Sequence, residues 1–149
     1  MGICYNTGML YFAYGMNTNP QGMALRCPQA VAIGRARLLG YRFRFAGPAD
    51  VQRDHRSDVD GVLWDISEDC LASLDSLEGY PYLYDRSWQQ VEFGGSTVMA
   101  LVYHMTPGNR NGPPSSGYFA TVMEGYEQFG VPTEQLWKNV NFSTHQVFS

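Results

Sequence analysis

Met9-Leu10-Tyr11-Phe12-Ala13 runs directly into Tyr14-Gly15-Met16-Asn17, and Asn19-Pro20 then opens a different pattern. The first five residues favour extended backbone, and the run stops where glycine and asparagine permit unusual dihedral angles. A strand therefore enters a tight loop. Asn19 is a good helix cap and Pro20 suits a first helical turn, so the spacing predicts a short helix through about Arg26, ended by Cys27-Pro28. Successive backbone N–H groups in a glycine-containing turn ahead of a helix make a concave donor set for a carboxylate or an oxyanion. A plain strand-to-helix connection accounts for the same residues.

Further along, Val31 to Phe45 turns β-like, with Tyr41, Phe43 and Phe45 alternating with Arg42 and Arg44 as in a half-buried strand. Gly47 to Asp58 is polar and reads as a surface loop before another strand at Gly61 to Ile66. Trp88 to Phe93 and Thr97 to Met105 flank Gly94-Gly95-Ser96 as a hairpin, so the sheet has at least five strands. Ser67 caps a helix with Glu68 and Asp69 in its first turn and Gly79 as its stop. A second helix spans about Ser116 to Phe129, and a short one is expected over Thr133 to Val140. Beyond about residue 140 the pattern is that of a loose tail.

The 149 residues, 44% of them hydrophobic, suffice for one core, so residues 1–149 are expected to form a single domain. Ten tyrosines, eight phenylalanines and three tryptophans suit a packed β-rich body with aromatic surface left for a pocket. The net charge is −4 and the basic residues are scattered, which argues against nucleic acid and for a small-molecule partner. Cys4, Cys27 and Cys70 show no C-x-x-C spacing, and free thiols in a reducing compartment are expected. With no signal-like start and no apolar run of about 20 residues, the expected location is the cytoplasm, away from membranes.

On the Ser67–Leu77 helix, at 100° per residue, Leu71 and Leu74 define an apolar stripe, Leu77 lies at its edge, and Glu78 falls between the first two. A carboxylate on that face must be paired, protonated or lining a cavity, and desolvation and the helix C-terminus would both raise its pKa toward that of a general base. The alternative is a glutamate at a helix end with its head turned to solvent. Asp75 borders the stripe and is a candidate for an ion pair with Arg86. Tyr84 and Tyr118 are candidate hydroxyl donors to a pocket, or simply packing residues. Nucleophile triads and nucleotide-binding glycine motifs have no local signature here.

Leu10-Tyr11-Phe12-Ala13-Tyr14-Gly15-Met16-Asn17, Gly61-Val62-Leu63-Trp64, Leu74-Asp75-Ser76-Leu77-Glu78-Gly79 and Pro113-Pro114-Ser115-Ser116-Gly117-Tyr118 follow one another in an order that resembles the γ-glutamylcyclotransferase family. The resemblance runs from about Leu10 to Leu136. It departs in the loop, where the family reads Tyr-Gly-Ser-Asn and Met16 replaces the serine. It implies an α+β fold: a compact mixed-sheet β-barrel with flanking helices, a pocket at its mouth, and no metal or organic cofactor. The implied substrate is a small γ-glutamyl compound, whose α-amine attacks its own γ-carbonyl to close 5-oxoproline and release the attached amine. Glu78 then takes the role of proton carrier, and Tyr14, Gly15, Met16, Asn17, Tyr84 and Tyr118 that of substrate contacts. A non-catalytic binding protein that keeps the pocket is the alternative, motivated by Met16. The sequence carries no signal of oligomeric state or of which amine leaves.

Overall fold

In the computed structural model, which describes residues 9–108 and 112–140, five strands close into a barrel. β1 (Met9–Ala13), β2 (Val31–Phe45), β3 (Ala49–Ile66), β4 (Tyr84–Phe93) and β5 (Ser96–Met105) run in the order β1-β3-β2-β4-β5. Neighbours are antiparallel except β1 and β5, whose parallel pairing of Tyr11 with Leu101 closes the ring and makes the sheet mixed. Closure leaves no strand edge to protect. Inward-facing side chains such as Phe12, Leu38, Val59, Leu63, Val91 and Val102 are almost completely buried and fill the interior.

Helices α1 (Pro20–Arg26), α2 (Glu68–Glu78), α3 (Ser116–Phe129) and α4 (Glu134–Asn139) flank the barrel, and a 3-10 turn, Met16–Thr18, joins β1 to α1. The caps are those expected from sequence. Asn19 accepts a hydrogen bond from the Gln21 amide and Ser67 from that of Cys70, while Gly79 ends α2 in the left-handed conformation. α3 presses on the 3-10 turn through Gly125, where a Cβ would collide with Thr18. None of the helices among the described residues is long and apolar enough to cross a membrane.

Three expectations are corrected. Gly47 to Asp58 is no loop: β3 begins at Ala49 and pairs with β2 from Phe45↔Ala49 to Tyr41↔Arg53, resuming at Leu39↔Asp58. Much of this ribbon is exposed, so its residues are polar without ceasing to be extended; Arg44 pairs with Asp50 at 2.8 Å and Arg42 hydrogen-bonds Gln52. Residues 54–57 bulge out between the paired stretches, and there the Asp54 carboxylate accepts from the Arg56 amide and the Ser57 hydroxyl.

The apolar stripe of α2 is centred differently as well. Cys70 and Leu74 are buried, Leu71 is only partly covered and Leu77 is 40% exposed. Cys27 and Cys70, expected as free thiols, are joined as a disulfide with Cα atoms 5.0 Å apart. They lie 43 residues apart in sequence and meet only because α1 packs beside α2, a proximity that local spacing does not encode. Cys4 and the tail after residue 140 lie outside the described residues.

Candidate functional site

β1 delivers its C-terminal end to the barrel mouth, and there Tyr14, Gly15, Met16 and Asn17 form one wall of a cavity of about 250 Å³. The last turn of α2 supplies Leu77 and Glu78 to the same cavity, and Tyr84 and Tyr118 come from the start of β4 and the first turn of α3. All seven candidate residues read from sequence therefore line one space. Among the other lining residues, Tyr11, Tyr103, Pro48 and Ala49 escaped that reading. Tyr11 was legible within the β1 motif, whereas Pro48 and Ala49 fell in the stretch taken for a surface loop.

Glu78 is half-buried, and among the described residues no hydrogen bond or ion pair satisfies its carboxyl group. Desolvation pushes its pKa up to about 7, against a smaller lowering by the Arg26 guanidinium. A carboxyl poised near neutrality that lines a cavity is suited to taking and returning a proton.

The loop wall is held from behind by Tyr118. Its hydroxyl oxygen accepts from the Ala49 amide at 3.0 Å. With the oxygen engaged as an acceptor, the phenolic O–H is the group left to donate. Burial, and to a lesser degree the charge of Glu78, push the Tyr118 pKa up to about 12, so the proton stays in place at neutral pH. Gly15 is required by the same contact: a Cβ there would lie 2.9 Å from the Tyr118 oxygen and 3.1 Å from the Ala49 Cβ. Tyr118 thereby presents a hydroxyl donor to the cavity beside the loop.

The other tyrosines are fixed in place. Tyr84 donates to the Ala49 carbonyl at 2.8 Å, so its proton is turned to the backbone and is not the free donor that sequence suggested. Tyr14 donates to the Tyr103 carbonyl at 2.7 Å, and Tyr126 donates to the Tyr14 carbonyl at 2.7 Å. Asn17 is 3% exposed; its side-chain amide donates to the Tyr11 hydroxyl at 3.1 Å while its Oδ1 has no partner among the described residues. A buried acceptor without a donor is costly and rare. Beside a cavity, its natural partner is a ligand N–H.

A family model described as "Gamma-glutamyl cyclotransferase, AIG2-like" matches residues 11–121. Curated relatives include the protein of Bos taurus named "Gamma-glutamylcyclotransferase", 30% identical over 143 aligned positions that cover 84% of this chain and 73% of that one. The Mus musculus protein of the same name is 29% identical with the same coverage. Among solved structures, one named "Gamma-glutamyl cyclotransferase" superposes with a TM-score of 0.80 at 28% identity, covering 91% of this chain and 89% of its own. The matched span takes in the β1 loop, all of α2 and Tyr118, so the walls just described fall inside the shared region. By the extent of that match and the agreement of the barrel, this chain belongs to the γ-glutamyl cyclotransferase, AIG2-like family.

Proposed function

We propose that this chain catalyses the intramolecular cyclisation of a γ-glutamyl group to 5-oxoproline with release of the attached amine, and that Glu78 carries the protons. The observation that supports this reading is the unpaired Glu78 carboxyl, raised to about 7, lining one cavity with a loop-borne amide and hydroxyl wall.

The chemistry follows from what a γ-glutamyl compound needs. Nucleophile and electrophile share one molecule, so the protein has only to fold the chain into attack geometry, deprotonate the α-ammonium and hold the developing negative oxygen. Ionised Glu78 accepts a proton from the ammonium. The freed nitrogen pair bonds to the γ-carbon, and the carbonyl electrons move onto its oxygen, which the Tyr118 O–H is placed to receive. Collapse restores the carbonyl and breaks the bond to the leaving nitrogen. In all, two protons pass from the attacking nitrogen to the leaving one, and one carboxylate carries them in turn. Asn17 Oδ1, buried and unpartnered, is suited to fix the attacking nitrogen through a remaining N–H.

The test is a panel of γ-glutamyl compounds, from γ-glutamyl amino acids and glutathione to γ-glutamyl amines, assayed for 5-oxoproline. Stoichiometric 5-oxoproline and amine from at least one member supports the proposal. Tight binding across the panel with no product would instead favour a binding protein that has kept the pocket.

A further inference from the structure

The Cys27–Cys70 disulfide has no part in the cyclisation, yet it joins the elements behind both walls of the cavity. α1 follows directly on the Met16–Thr18 turn, and α2 ends at Glu78. Cys27 closes α1 as its C-cap, and Cys70 lies in the first turn of α2. Among the described residues, no salt bridge links these two helices, and the only hydrogen-bonding contact between them is at the two cysteines themselves. The covalent bond is the clasp.

Cys27 is 2% exposed and Cys70 4%, but both line a second cavity of about 240 Å³, separate from the candidate site. Exposed Pro28, Gln29 and Ser73 form its rim, so the two buried cysteines are its floor. A disulfide beneath so small a space is within reach of a thiol of amino-acid size and out of reach of a thiol carried on a folded protein. Arg26 and Asp69 add one charge of each sign to the walls, and neither takes part in a salt bridge among the described residues. A thiol bearing both a carboxylate and an ammonium matches that pair.

We propose that this second cavity is a thiol-exchange site, at which a small zwitterionic thiol of the cysteine type opens the Cys27–Cys70 bond and unclasps α1 from α2. The helix ends decide which sulfur is attacked. Cys70 sits at the positive end of α2 and Cys27 at the negative end of α1, which makes Cys70 the better leaving thiolate; Glu68 and Asp69 in the same turn reduce the difference. The incoming thiolate bonds to Cys27 Sγ, the S–S bond breaks, and its electron pair leaves on Cys70 Sγ. That sulfur takes up one proton, equal to the one the incoming thiol lost. One disulfide replaces another, so the step needs no co-reactant besides the thiol.

The experiment treats the folded, full-length chain with L-cysteine, in a Cys4→Ser background that removes the third cysteine. The reaction is stopped with iodoacetamide and mapped by peptide mass spectrometry. A cysteine adduct on Cys27 with alkylation of Cys70, formed without denaturant, is the expected result, and amide hydrogen exchange across α1 should accelerate in the adduct. Ser73→Trp, which fills the rim, should slow adduct formation by about tenfold in the folded protein and leave the rate in urea unchanged. N-acetylcysteine amide, which lacks both charges, should react more slowly than L-cysteine with the folded Cys4→Ser protein at equal thiolate concentration, a comparison that does not depend on how Ser73→Trp folds. Adduct that forms only in urea, or equal rates for the two thiols on the folded protein, overturns the proposal. None of these readouts involves turnover, so they hold or fail independently of the cyclisation reading.

Discussion

Arg86 grips Asp75 with two hydrogen bonds, Nε to Oδ1 at 2.8 Å and Nη2 to Oδ2 at 3.2 Å, while Glu78 one turn later has no such partner. The Tyr103 hydroxyl adds a third donor to Asp75 at 2.6 Å, and the Tyr80 ring lies under the guanidinium. Two carboxylates on one helix are thereby given different work: Asp75 anchors α2 to β4 and β5, and Glu78 is left for a ligand. Arg86→Gln should lower stability by about 1–2 kcal/mol, since the pair is partly exposed and Asp75 keeps its tyrosine. Differential scanning calorimetry should show a reduced Tm, with turnover below that temperature falling less than tenfold.

The pH dependence follows from Glu78. Its ionised form is the base, so kcat/KM should rise about tenfold per pH unit below about 7 and level off above it. Stability should move the other way. Burial raises the folded-state pKa from 4.5 to about 7, so the fold prefers the neutral carboxyl. The favourable contribution is complete below the unfolded value and is lost as pH rises through about 7. Glu78→Gln should therefore gain stability relative to wild type between pH 4.5 and pH 8 in urea titrations. A constant difference across that range would show that Glu78 is not desolvated.

Tyr118→Phe removes the oxygen that accepts from the Ala49 amide. One backbone donor is left without an acceptor, at about 1–3 kcal/mol, and the proposed oxyanion donor is gone. We expect kcat to drop by on the order of 100-fold, together with a lowered Tm. A variant of unchanged kcat and unchanged Tm would remove Tyr118 from both roles.

The disulfide predicts a redox-dependent stability. Closing the 43-residue separation between Cys27 and Cys70 is worth about 4 kcal/mol by chain entropy alone. Cys70→Ala should lower the urea midpoint accordingly, and thiol titration of the unfolded, unreduced wild type should find neither of these two cysteines. Detection of both as free thiols would overturn the pairing.

Much of this architecture could be read locally. Strand β1, the caps of α1 and α2, and the Gly94-Gly95 hairpin depend on residues within a few positions of one another, and the structure has them where the sequence signals lie. The angular position of Glu78 likewise followed from helical periodicity, since Cys70, Leu74 and Glu78 share one face. What was not legible depends on distant pairing. The polar start of β3 is extended because β2 lies beside it, and Cys27 and Cys70 meet because two helices pack. Tyr118 illustrates the same limit within the site: its position was recognisable, but the backbone amide its oxygen accepts from belongs to Ala49, 69 positions away in the chain.

The central claim is that Glu78 carries the protons of a cyclisation, and one measurement bears on it most directly: single-turnover formation of 5-oxoproline by wild type and Glu78→Gln on the best γ-glutamyl substrate. Glutamine keeps the shape of the side chain but cannot accept a proton, so fold and ligand affinity should persist while the rate of the chemical step falls by about 100- to 10,000-fold. A Glu78→Gln protein that forms 5-oxoproline at a rate near that of wild type would contradict the account.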